Sequence, residues 1–107
     1  MPTEWDFQQE VIQAAHDHHW RIFHPSPCKT SRGRWVTASA GAKGFPDLVL
    51  AHPDRGVIFA ELKKQDGTVT AEQTEWLLTL TAGGAEAVIW RPSDWPTILD
   101  RLTQDRT

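Results

Sequence analysis

A single cysteine, Cys28, leaves this 107-residue chain without an internal disulfide or a cysteine-based zinc site, which fits a reducing compartment. Its apolar runs are too short to cross a bilayer, and the opening MPTEWDFQQE lacks the basic-then-apolar order of a secretory signal. An intracellular, cytoplasmic protein with no membrane partner is therefore expected. Repeats and low-complexity tracts are missing as well. With 39% hydrophobic and 23% charged residues the chain is globular rather than disordered, and its length suits one domain over residues 1–107.

Acidic residues are missing from one long segment. The net charge is −3, yet from His18 to Pro46 there is no Asp or Glu, while Arg21, Lys29, Arg32, Arg34 and Lys43 all lie there. Such a segment is either an ordinary solvated loop with uneven charge or a surface that meets the phosphates of a nucleic acid.

The chain reads as an alternation of helix and strand. A first helix over about 3–20 places Phe7, Val11, Ala14, Ala15 and His18 on one face, with Glu10 at the margin of that face. A short strand over 21–24 precedes PSPCKTSRGRW, a loop or hairpin arm by its Pro, Ser and Gly content, and a further strand is expected over 35–39. Two strands over 47–52 and 57–63 are joined by Pro53-Asp54-Arg55-Gly56, a hairpin signal. A loop of Asp54, Arg55 and Gly56 pairs Pro53 with Val57 and Asp47 with Lys63, so that Asp47, Glu61 and Lys63 share a face; a two-residue loop sends Asp47 to the other side. Thr70-Ala-Glu-Gln is a capping-box pattern opening a helix over 71–82 that Gly83 and Gly84 end. A strand over 85–90 and a last helix capped by Ser93 complete the order α-β-β-β-β-α-β-α, which predicts an α+β fold of one small mixed sheet with flanking helices.

Within this frame Asp47 stands at the mouth of an apolar strand, and Glu61 interrupts another. A carboxylate so placed costs several kcal/mol unless it is compensated. Hard divalent cations take oxygen ligands, one or two of them carboxylates, so Asp47 and Glu61 fit as a metal pair for Mg²⁺, with Mn²⁺ as substitute. The Leu62 backbone carbonyl and Glu10 are further candidate oxygens. Lys63 is then placed to orient a water or offset charge growing on a phosphate. The bland alternatives are a turn for Asp47 and a cross-strand ion pair for Glu61 and Lys63. His16 and His19, with His18 and His24 near, form a rival zinc set, but no cysteine or second spaced pair completes it.

Together Gly44-Phe-Pro-Asp47, Glu61-Leu-Lys63 and Gln73-x-x-Trp76 resemble the VRR-NUC branch of the PD-(D/E)xK nuclease superfamily, over nearly the whole chain. The resemblance implies a restriction-endonuclease-like core and a metal-dependent phosphodiesterase. It implies Asp47 and Glu61 as metal ligands, Lys63 as catalytic lysine, Glu10 as the first-helix acid and Gln73 as a helix-borne glutamine at the site. Gln73 has a second reading, as the third residue of its capping box. Phe45 stands where the family usually has a smaller aliphatic, a departure that bears on packing more than on chemistry. Stand-alone members, often of phage or bacterial origin, look like Holliday-junction resolvases. The expected function is a structure-selective DNA endonuclease acting as a homodimer, because cutting two strands needs two sites, and without a small-molecule cofactor. The alternative is a non-catalytic nucleic-acid-binding module that keeps the nuclease fold.

Overall fold

The computed structural model describes residues 3–25, 28–29, 35–36 and 43–105. Its elements are α1 (Glu4–Asp17), β1 (Arg21–Phe23), β2 (Cys28–Lys29), β3 (Trp35–Val36), β4 (Leu48–His52), β5 (Gly56–Leu62), α2 (Ala71–Ala82), β6 (Glu86–Trp90) and α3 (Trp95–Thr103). Four strands form one mixed sheet in the order β1-β4-β5-β6, antiparallel except for the β5-β6 pair. The antiparallel pair β2-β3 stands apart from it. One more strand is present than the sequence suggested, because Cys28–Lys29 lies in the stretch read as a loop or hairpin arm. Residues 37–39 of the expected strand lie outside the described residues.

Local chemistry explains the helix starts. Thr3 accepts from the Asp6 N–H at 3.0 Å while Asp6 accepts from the Thr3 N–H at 3.3 Å, a reciprocal cap that satisfies two of the donors a helix start leaves over. At the other end of α1, His19 takes φ 69°, the left-handed conformation that turns the chain out of the helix. Trp20 follows, buried, and its indole N–H donates to the Leu102 carbonyl at 2.9 Å, tying α1 to the end of α3.

Strand alternation divides the sheet into two faces. Leu48 and Leu50 of β4, Ile58, Ala60 and Leu62 of β5 and Trp90 of β6 join Phe7, Val11 and Ala15 of α1 and Ile98 and Leu102 of α3 in one core. Each large side chain there contributes roughly 1.5–3 kcal/mol by leaving water. The opposite face carries Phe59 and Glu61 and lies under α2, the crossover that parallel β5 and β6 require. Phe45 fills the gap between that face and the helix, meeting Phe59 and Trp76 edge-on at centroid distances of 6.1 and 4.9 Å.

The β4-β5 turn differs from its expected register. His52 faces Gly56 and Leu48 faces Ala60, so Pro53 is in the turn rather than opposite Val57. Proline has no N–H to give a ladder and its fixed φ suits the second position of a turn. Accordingly the Arg55 N–H donates to the His52 carbonyl across His52-Pro53-Asp54-Arg55, and Gly56 follows at φ 98°. Arg55 then locks this turn to the helix ends, donating to the carbonyls of His18 and Leu102, each at 3.0 Å, and to Asp105 at 2.8 Å. Ser93 does not cap α3; Gln65 engages both its N–H and its hydroxyl. Among the described residues no helix is long and apolar enough to cross a membrane.

Candidate active site

Register and alternation bring the acids together. Continuing the ladder by one residue from Leu48 and Ala60 sets Asp47 across from Glu61, on the face that also takes Lys63. Asp47 lies just before β4, where its Oδ2 accepts the Leu62 N–H at 2.8 Å. The Leu62 peptide is thus held between Glu61 and Lys63 at the last residue of β5, with the Leu62 side chain fully in the core.

Glu61 is 1% exposed, and the site is organised about it. Its Oε2 accepts from the Gln73 amide at 2.9 Å and lies 3.2 Å from the Lys63 ammonium. Its Oε1 is buried with no hydrogen-bond partner. Burial, and then the nearby Asp47 charge, push the Glu61 pKa up to about 7, against the opposing pull of Lys63. With one oxygen unpaired and its proton affinity raised, this strand-borne carboxylate is only partly compensated by the single ammonium of Lys63.

The third acid is Glu4, not Glu10. Carboxylate oxygens of Glu4, Asp47 and Glu61 all lie within 4.8 Å of one another, and Glu4 Oε1 is also 3.9 Å from Lys63 Nζ. Glu10 is exposed and lines a groove with Gln13 and Asp17 of α1 and Trp95 and Leu99 of α3. Helical spacing explains the difference: Glu4, Phe7, Gln8 and Val11 fall on one stripe, whereas Glu10 is about 120° round the helix from Glu4. The signal was in the sequence, since Glu4 extends the apolar stripe by one turn toward the N-terminus.

Gln73 completes its capping box and also reaches Glu61. Its Oε1 accepts the Thr70 N–H at 2.9 Å and its own N–H donates to the Thr70 hydroxyl at 3.2 Å, which leaves the amide nitrogen to donate to Glu61. The helix start is held close to the Asp47 segment by Gly44, at φ 83°; a Cβ there would stand 2.6 Å from the Glu72 carbonyl carbon and 2.8 Å from the Gln73 nitrogen. Only glycine allows both that conformation and that approach.

A comparison of folds bears on this arrangement. A solved structure described as a "VRR_NUC domain protein" superposes with a TM-score of 0.56 at 21% identity, over 95% of this chain and 83% of that one. The chain has a VRR-NUC-like fold. No family model matches, and neither does any curated protein.

Of the five basic candidates in this VRR-NUC-like fold, two have described side chains. Arg21 is exposed on β1, and Lys43 is exposed with its ammonium 3.5 Å from Glu72. The side chains of Lys29, Arg32 and Arg34 lie outside the described residues. Among the described residues the only three-residue group placed to share a metal is the acidic one, and His16, His18, His19 and His24 do not come together as one. His24 is instead hydrogen-bonded to Gln8, Nε2 to Nε2 at 3.0 Å.

Proposed function

We propose that this chain is a metal-dependent nuclease that hydrolyses phosphodiester bonds in DNA, with Mg²⁺ or Mn²⁺ held by Asp47, Glu61 and Glu4. The observation that carries this reading is the unpartnered Glu61 Oε1, buried beside two further carboxylates. Three carboxylates against one ammonium leave two negative charges uncompensated, the charge a divalent cation cancels, and an all-oxygen donor set suits a hard ion. Such a cation, when bound, polarises a phosphoryl oxygen and lowers the pKa of a water to make it a nucleophile.

The chain's own residues do the rest. Asp47 fixes the end of β5 through the Leu62 N–H, so Glu61 and Lys63 keep their places as substrate arrives. Gln73 holds one Glu61 oxygen and leaves the other free to ligate. Lys63, with its ammonium between Glu61 and Glu4, is positioned to donate to a phosphate oxygen or to the attacking water. Arg21, Lys29, Arg32 and Arg34 supply phosphate contacts, so DNA affinity falls steeply with salt. The substrate in this reading is branched DNA, cut by a homodimer that presents one site to each of two strands.

The test is cleavage of end-labelled four-way junction, flap and linear duplex DNA with Mg²⁺, Mn²⁺ or EDTA, comparing the native chain with Asp47→Ala. Metal-dependent cutting that the variant loses supports the nuclease. DNA binding without cutting in either metal, together with a melting temperature that metal leaves unchanged, overturns it.

A further inference from the structure

Large apolar side chains are seldom left in water without a use when they gather at one place. Among the described residues five are exposed: Trp5 at 64%, Phe23 at 62%, Val57 at 45%, Leu78 at 66% and Ile89 at 40%. The two aromatic ones both lie at the carboxylate end of the sheet. Trp5 follows Glu4 in the first turn of α1, about 100° round the helix from it. Phe23 pairs with Val49 on the sheet face that also carries Asp47 two residues away, which makes Phe23 a diagonal cross-strand neighbour of Asp47. One aromatic thus stands beside each of two acids of the cluster, on different elements. Gln8, between Trp5 and the core stripe, is bonded to His24 just after β1, so Trp5 is on the side of α1 that faces β1. Phe23, in turn, is itself part of the acid-free segment.

We propose that Trp5 and Phe23 are stacking platforms for unpaired nucleobases on the β1 side of the phosphate presented to Glu4, Asp47 and Glu61. This deepens the nuclease reading and rests on it. Every base has a π-face, so aromatics stack bases without reading sequence, but only where the bases are free of their own stack. Within a continuous duplex the base faces are covered and the platforms have nothing to hold. At a flap, a junction centre or a single strand the faces are available. The pair therefore selects substrate by the presence of unpaired bases at the cut, independently of phosphate contacts, which position a nucleic acid of any sequence.

The experiment uses the full chain in EDTA, where no cleavage occurs, with 2-aminopurine placed beside the cut in flap, single-stranded and linear duplex DNA of one sequence. Binding and fluorescence quenching are read for the native chain, Trp5→Ala, Trp5→Phe and Phe23→Ala, with Leu78→Ala as an exposed apolar control. Expected is a loss of quenching and a fall in affinity of at least about fivefold for flap and single strand in each alanine variant. Duplex affinity stays within about twofold, Trp5→Phe recovers most of the loss, and Leu78→Ala matches the native chain. Alanine variants that quench and bind like the native chain overturn the stacking role while leaving the nuclease reading standing. An equal loss on duplex and on unpaired DNA also overturns it, in favour of a general contact. No binding of any DNA by the native chain, in EDTA or with Ca²⁺ in its place, overturns both readings together.

Discussion

The Gln73 amide donates to Glu61 from Nε2 while its Oε1 accepts from the Thr70 N–H, both at 2.9 Å, so one side chain joins the start of α2 to the buried acid of β5. Removing it unties both ends. Gln73→Ala should destabilise the metal-free protein by about 2 kcal/mol in urea unfolding, from the lost cap on the Thr70 N–H and a buried Glu61 left with Lys63 alone. Gln73→Glu keeps the cap but sets an anion against Glu61, so its stability deficit should be large at pH 8 and shrink at pH 5. An equal deficit at both pH values would argue against the contact.

Glu61 makes stability fall as pH rises. Its folded-state pKa of about 7 lies above its ordinary value of 4.5, so between these values the folded chain holds more protons than the unfolded chain. The contribution is fully present below pH 4.5 and is lost as pH climbs through 7, a difference on the order of 3 kcal/mol. Measured as native minus Glu61→Gln, which cancels other titrating groups, urea stability without metal should drop over that window. Added Mg²⁺ should restore it, because a cation bound to the folded, ionised carboxylates offsets the charge that the lost proton leaves. A flat difference between pH 4.5 and 8 would show that Glu61 is not held protonated.

Glu4 and Glu10 separate cleanly by calorimetry. Glu4→Gln should weaken Mn²⁺ binding by at least about tenfold, and Glu10→Gln should leave it within twofold. The reverse order would return the role to Glu10.

Gly44→Ala should cost at least about 2 kcal/mol of unfolding free energy, since the new methyl meets backbone of α2 at φ 83°, where side chains are strained. Ala at Gly84, φ 94° with no atom within 4 Å, isolates the conformational part and should cost less. Equal losses would mean that the close approach to Glu72 and Gln73 is unimportant.

Much of the site follows from local rules. A strand sends alternate residues to one face, so Glu61 and Lys63 belong together whatever the fold, and Asp47 joins them in any register of the same parity. This is why the hairpin could be misplaced, with Pro53 in the turn instead of the ladder, without moving Asp47 off their face. The capping box at Thr70 and the pair Gly83-Gly84 likewise bounded α2 at Ala71 and Ala82, because capping acts over three or four residues. Three matters were decided only in the assembled molecule. Helical periodicity puts Glu4 on the inward stripe of α1 and Glu10 off it, but that the N-terminal end of the stripe lies by Asp47 is known only from the assembled fold. The second engagement of Gln73 needs α2 laid over β5 as their crossover requires, with Gly44 permitting the close approach. The raised proton affinity of Glu61 is a property of burial and of a neighbouring charge brought from another strand, and neither exists until the chain has folded.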